Sequence, residues 1–410
     1  MAPRAASVTR TLRCLGLAAL AFANSIVATE TDLLSVLSKQ DNLTTFLELV
    51  KDHQDIYNSL PTDPGVTIIA PNDAAFVKGS GWDRDERSIP VWLTYGILDD
   101  VVNLGNLEPG DTISLSTLLD SPAHANVTGG QKVFATVQPG GEVILTSGSG
   151  THVTVVGLDI PFDGGVVQII ESLMVTPARL EHSIRDSYTD LSAFLGALYA
   201  ADLVQEFAET PNATILAPHN HAFQRFAGTF ENMDQDELRR VLRYHLVPDA
   251  MLRASDLTNN TNLATNAEDG EKVHITRFIN DIYVNSAKII QTDLLVANGI
   301  IQMIDSVLNA DQHDARPDVT RSAQIPVFTA TGQTATGTAA AVPFTSELPC
   351  TASCPSSASH QPTGTAESEG TSEATSATSD NAAAPTGLPA GLGMGVAAAG
   401  LVGMGLLGVV

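Results

Sequence analysis

The chain has 410 residues, 43% of them hydrophobic, which suffices for two or three units with packed cores. Lys and Arg number 21 against 46 Asp and Glu, a net charge of −25. A surface of that sign repels nucleic acid phosphates and anionic membranes, so no nucleic acid partner is expected; it suits solubility, cation-rich surroundings or basic partners.

Residues 1–28 read as a secretory signal. Arg4, Arg10 and Arg13 precede an apolar run, Cys14 to Phe22, that is too short to span a bilayer; Ala21-Phe22-Ala23 and Ala28 offer cleavage sites. A first domain is expected over 29–177. It opens with helical spacing at Leu33, Leu34, Val36 and Leu37. The stretch 66–76 follows: an apolar β-rich run in which Thr67, Ile68 and Ile69 read as a buried strand, then Ala70-Pro71, a polar step and Ala75-Phe76. Proline cannot donate to a sheet ladder, so Pro71 should end the strand, and Asp73 is placed to cap the helix that opens on Ala-Phe. Ile89, Trp92, Leu93 and Gly96 share one helical face. Strands are expected at Thr112–Leu115, Lys132–Val137, Glu142–Thr146 and His152–Val156, with a turn at Pro139-Gly140-Gly141.

A second domain, 178–312, repeats the first. Residues 213–223 (ATILAPHNHAF) echo 66–76 (VTIIAPNDAAF), with Pro218 and Asn220 in the places of Pro71 and Asp73. Leu191–Leu195 matches Leu43–Leu47, Leu242-Arg243-Tyr244 matches Leu93-Thr94-Tyr95, and Gly299–Ile304 matches Gly165–Ile170. The order is kept and only the last spacing shortens, as a duplication with about fifteen extra residues in the first copy requires. Asp234 and Glu237 form a capping pair ahead of Leu238, Val241, Leu242 and His245 on one helical face. Strands are expected at Lys272–Phe278, Ile282–Asn285 and Lys288–Leu295, turning at Asn280-Asp281. Strands and helices do not alternate strictly, so the fold class is α+β.

From about 313 to 381 Thr, Ser, Ala, Gly and Pro dominate, a composition expected to form a disordered stalk, either O-glycosylated or bare. It contains Cys350 and Cys354, closer to a local disulfide than to a metal site. Asn381-Ala382-Ala383 followed by a spacer and the uncharged tail Val396–Val410 matches a glycosylphosphatidylinositol (GPI) attachment signal, with Asn381 as the attachment residue and 382–410 as the propeptide. The rival, a transmembrane helix, lacks length and a flanking basic residue. Four N-glycosylation sequons, Asn42, Asn126, Asn212 and Asn259, each have Thr at +2.

The sequence holds no G-x-S-x-G elbow, P-loop or H-E-x-x-H motif. His219 and His221 can share a face, but the first copy has Asn72 and Ala74 there, so no metal, cofactor or catalytic residue is expected. The paired boxes and the Tyr between them resemble the fasciclin-like (FAS1) family, over roughly 29–312: Thr-x-Ile/Leu-Ala-Pro early, Tyr mid-domain, and Gly-Val/Ile-Val/Ile-Gln-x-Ile at the end, where many relatives carry His in place of Gln168 and Gln302. The resemblance implies two β-wedges with packed helices, and a non-catalytic role in adhesion or wall and matrix organisation. Partners would be surface or matrix proteins or polysaccharides, or further copies of the chain, with the membrane reached through a lipid anchor. In animal relatives a Tyr-His region and an Asp-Ile pair are implicated in adhesion through integrins. The matching residues are Tyr244-His245, Asp159-Ile160 and Asp293-Leu294, while the first domain departs with Tyr95-Gly96. The residues themselves admit a second reading, with His245 buried on an apolar helix face and the two aspartates closing turns.

Overall fold

The structure is a computed structural model that describes residues 32–79, 85–268, 270–321, 324–328 and 341–349. The first sheet is built from β1 (Val66–Pro71), β2 (Ile97–Leu98), β3 (Thr112–Ser116), β4 (Lys132–Val137), β5 (Val143–Thr146), β6 (His152–Phe162) and β7 (Gly165–Ile170), in the order β2-β1-β7-β6-β5-β4-β3. All neighbours are antiparallel except β1 and β7, which run parallel from Val66↔Gly165 to Pro71↔Ile170. A bridge between Leu98 and Thr117 brings the sheet's two ends together, so it curls into a barrel-like wedge. Helices α1 (Leu33–Ser38), α2 (Thr44–Asp52), α3 (Gln54–Asn58), α4 (Asp73–Lys78) and α5 (Ser88–Tyr95) belong to this half.

The second half repeats the plan. Helices α6 (Leu180–Ser187), α7 (Ser192–Ala200), α8 (Val204–Glu209), α9 (Asn220–Gln224), α10 (Ala227–Glu231) and α11 (Gln235–Arg243) accompany a sheet ordered β10-β11-β12-β13-β14-β8-β9. Its strands are β8 (Ala213–Pro218), β9 (Leu246–Val247), β10 (Thr261–Ala264), β11 (Lys272–Phe278), β12 (Asp281–Val284), β13 (Ala287–Val296) and β14 (Gly299–Ile304). Here too one pair, β8 and β14, is parallel, and every residue of both strands is buried. Gly299 leaves room for the Ala213 carbonyl, which a Cβ would overlap, as Gly165 does for Val66.

Strands β1 and β8 end at their prolines as expected, and Phe76 and Phe223 are buried where strand meets helix. The capping assignment is different. Asn72 and His219 cap α4 and α9, accepting from the N–H groups of Ala75 and Ala222. Asp73 instead reaches to an earlier helix, where its carboxylate accepts from the N–H groups of Thr44 (3.2 Å) and Thr45 (2.8 Å) at the start of α2. Asn220 does the same for α7, accepting from Ala193 N–H at 2.8 Å. One polar side chain thus ties two helix starts together in each domain, satisfying amides that would otherwise be orphaned. The expected capping box at Asp234 and Glu237 is present.

The packed chain also runs past 312. Val327 is buried, with its carbonyl held by Asn309 Nδ2 at 2.8 Å, and Phe328, Val342, Phe344 and Leu348 lie against the core of the second domain. These are among the few large apolar residues in a stretch whose bulk composition hides them.

Candidate functional site

The residues singled out in the sequence fall into repeated internal clasps. Thr67 Oγ1 donates to the Asp100 carbonyl (2.8 Å) and accepts from Val102 N–H (2.8 Å). Thr214 does the same with the Ala250 carbonyl and Leu252 N–H. Tyr95 and Tyr244 are fully buried, and their hydroxyls donate to the carbonyls of Lys132 (3.0 Å) and Lys272 (2.9 Å).

His245 is fully buried. Its Nδ1 donates to the Val241 carbonyl at 2.8 Å and its Nε2 accepts from Leu308 N–H at 2.9 Å, which fixes the neutral tautomer. Burial pushes its pKa down to about 4. His245 therefore staples the end of α11 to the chain after β14, Tyr244 ties it to β11, and neither presents an atom to a partner, because both side chains are closed inside the domain. In the first domain Gly96 stands in the histidine's place, and Trp92 Nε1 donates to the Met174 carbonyl at 3.0 Å.

Asp159 and Asp293 sit at β-bulges in β6 and β13, both with left-handed φ (54° and 64°), a conformation aspartate tolerates better than most residues. Each N–H donates to a glutamine nine residues on, Asp159 to Gln168 Oε1 (3.0 Å) and Asp293 to Gln302 Oε1 (3.1 Å). The glutamine Nε2 returns a bond to the carboxylate, at 2.7 and 2.8 Å, and another to the Val102 or Leu252 carbonyl. Gln168 and Gln302 are wholly buried, so in each domain this glutamine is what holds the bulge. Burial raises the pKa of Asp293.

The two bulges differ in surroundings. Leu294 is buried, and 289–294 lines a groove of about 440 Å³ with Thr112, Phe134, Thr136 and His152 of the first domain. Around it, Arg253 Nη1 donates to the Thr112 carbonyl (3.0 Å) and its guanidinium lies 5.7 Å from the Phe134 ring centre. Phe134 packs with Leu295 and Ile300. Ile160 is half-buried, while Val156 and Leu158 stand 51% and 43% exposed.

Of the four sequons, Asn42 and Asn259 are exposed. Asn126 and Asn212 meet at the domain junction, where Asn126 Nδ2 donates to the Glu209 carbonyl (2.8 Å), Thr128 N–H donates to Asn212 Oδ1 (2.8 Å) and Asn212 Nδ2 to Thr128 Oγ1 (2.9 Å). Cys350, Cys354, Asn381 and the tail 396–410 lie outside the described residues. Among the described residues there is no group of three His, Cys, Asp or Glu placed to hold a metal ion, and no helix long and apolar enough to cross a membrane. His219, considered above as a ligand, spends Nδ1 on its helix cap.

The fasciclin domain model matches residues 41–176 and 189–310, inside the boundaries read from the repeat. The chain is 26% identical over 292 residues to a fasciclin-like arabinogalactan protein of Arthroderma benhamiae, covering 69% of this chain and 67% of that one. It is also 26% identical to the fasciclin-like arabinogalactan protein elcF of Phaeosphaeria nodorum, covering 69% and 90%. Human periostin is 23% identical over 65% of this chain and 30% of its own. The solved FAS1 domain pair of the insect cell adhesion molecule Fasciclin I shares 19% identity, with a TM-score of 0.33, over 66% of this chain and 98% of that one. With the family's domain matched twice over most of its length, the chain belongs to the fasciclin domain family and carries two FAS1 domains in tandem.

Proposed function

We propose that this is a non-catalytic surface protein that mediates adhesion or organises the cell wall or matrix, with its two FAS1 domains displayed on a Ser/Thr-rich stalk and a GPI anchor. The relatives' descriptions as fasciclin-like arabinogalactan proteins agree with that class. The observation that supports a contact surface on the first domain is its bulge, where Val156 and Leu158 are exposed beside Asp159 and Ile160. Apolar side chains next to a carboxylate give a partner both buried area and a charge to pair. Its partners are wall or matrix proteins or polysaccharides.

The test is release and rebinding. Cells are treated with a phosphatidylinositol-specific phospholipase, and the released chain is offered to stripped cells or wall fragments. Release with rebinding, lost in Val156→Ser/Leu158→Ser and kept in Val77→Ser (82% exposed, on α4), supports the reading. Release without rebinding refutes adhesion. Retention on the membrane after treatment refutes the GPI anchor. A second reading, a receptor for a small molecule or glycan, is favoured by the groove between the domains, whose Thr136, His152 and Asp293 supply polar contacts beside Phe134. It requires saturable binding by the released chain that Thr136→Val weakens.

A further inference from the structure

After β14 the chain does not leave the second domain directly. Residues 341–349 lie as a strap across its helices, beside α7. Pro343 is buried, and Val342, Phe344 and Leu348 pack against the core cluster. The Phe344 ring meets Phe223 at 6.1 Å and Phe230 at 6.4 Å between centroids, and Phe328 meets Phe226 at 5.8 Å and Phe230 at 5.4 Å. Phe344 is held at φ 64°, a left-handed conformation a bulky residue keeps only where its surroundings fix it. The groove is shaped for this backbone. Gly196 of α7 lies beneath the Phe344 carbonyl, and a Cβ at 196 would overlap that oxygen. The first domain has Glu48 and Gly79 in the places of Gly196 and Phe226, so it lacks the glycine that admits the strap and the phenylalanine that meets Phe328.

The connection into the strap is longer than its own docking needs. Phe328 and Phe344 both touch the ring of Phe230, yet twelve residues, 329–340, run between Phe328 and Ala341. Twelve residues can reach roughly 40 Å when extended. The strap can therefore dock on its own groove or on that of a neighbour with identical contacts, the low-cost route to exchange between protomers.

We propose that the groove over Gly196, Phe223 and Phe230 is a homotypic interaction site whose occupant is the 341–349 strap of a second copy. The reading of the chain as surface-displayed supplies only the setting, a crowded layer in which neighbours lie within reach. The chain's own strap competes at an effective concentration of about millimolar, so exchange is weak in dilute solution and grows with local density.

Complementation tests this with the full chain. Gly196→Ala keeps the strap and closes the groove; Phe344→Ala keeps the groove and disables the strap. Each variant alone is expected to be monomeric by light scattering. Their mixture is expected to form a heterodimer, strengthened at least about tenfold over wild-type self-association because neither partner's own strap competes. Chymotryptic cleavage after Phe344 checks that the strap is undocked in Gly196→Ala; if it stays protected, Gly196→Leu takes its place. A mixture that remains monomeric, with the strap undocked and both variants melting cooperatively, overturns the proposal. So does a heterodimer that persists when both partners carry Phe344→Ala. Failure of the wall-rebinding assay would count against adhesion and leave this result untouched, since the mixture contains no wall ligand.

Discussion

His245 offers a direct test of how the second domain is held. In the fold its pKa is pushed down to about 4 by burial, which outweighs the opposing bond to the Val241 carbonyl; in the unfolded chain it returns to the usual 6.5. The unfolded state therefore binds the extra proton between those values. The contribution is fully present above pH 6.5, is lost as pH falls from 6.5 to 4, and does not change further below 4. The gap corresponds to roughly 3 kcal/mol. Protonation also removes the acceptor at Nε2, leaving Leu308 N–H facing a second donor. The perturbation is His245→Gln, and the assay is urea unfolding between pH 4 and 7.5 followed by circular dichroism. Tryptophan fluorescence reports the first domain, which holds both tryptophans, Trp82 and Trp92, and no counterpart of His245. Burial also lowers the pKa of His219 and His274 and raises that of Asp293 and Asp305. Those groups are common to both chains and cancel in the difference. The variant is expected to be less stable at pH 7 by about 1–3 kcal/mol, and to lose less than the wild type on acidification. Equal losses between pH 6.5 and 4 would refute the assignment.

Other outcomes follow from the clasps. Gln302→Ala should cost about 2–3 kcal/mol, because the Leu252 carbonyl and one carboxylate oxygen of Asp293 lose a buried donor; calorimetry of the second domain's transition checks it. Asn220→Ala should cost about 1 kcal/mol by uncapping α7, and Asn220→Asp should restore most of it. Arg253→Ala removes the bond to Thr112 and the contact over Phe134, and should separate the melting of the two domains while changing neither domain's circular dichroism; scattering that shows no loosening of the pair would contradict it.

Much of this was legible in the sequence because the physics is local. A proline ends a buried strand whatever surrounds it, and Asp234 with Glu237 makes its capping box within one turn. The long strands carried their own patterns, and β4 and β11 begin and end where alternation places them. What escaped depends on distant partners. Asp73 caps a helix that starts 29 residues earlier, and nothing within a turn of it says so. The two-residue strands β2 and β9 are defined by their neighbours, and β10, Thr-Asn-Leu-Ala, is a half-polar edge without strong alternation. The turn after β11 falls at Ile279-Asn280, one residue before the expected place, with Ile279 at a left-handed φ that a β-branched residue rarely signals. Phe344 is a lone aromatic among Thr, Ala and Gly, so composition averaged it away.

The duplication itself separates support from function. Thr67 and Thr214, Tyr95 and Tyr244, and the Asp159–Gln168 and Asp293–Gln302 pairs occupy the same bonds in both domains. Two domains with different surroundings would not keep one contact surface in register by placing it inside their cores. Agreement between the copies is thus what the fold requires, and a partner is better sought where they differ. The differences are specific: the bulge at Val156 and Leu158 is open in the first domain while its counterpart faces the groove in the second, and a groove over Gly196 replaces Glu48. The first difference is where the proposed outside partner would bind, and the second is where the proposed exchange of straps would occur. Adhesion that depended on Asp293 or His245 would act through loss of folding, and a variant folded as well as the wild type at those positions should bind as well.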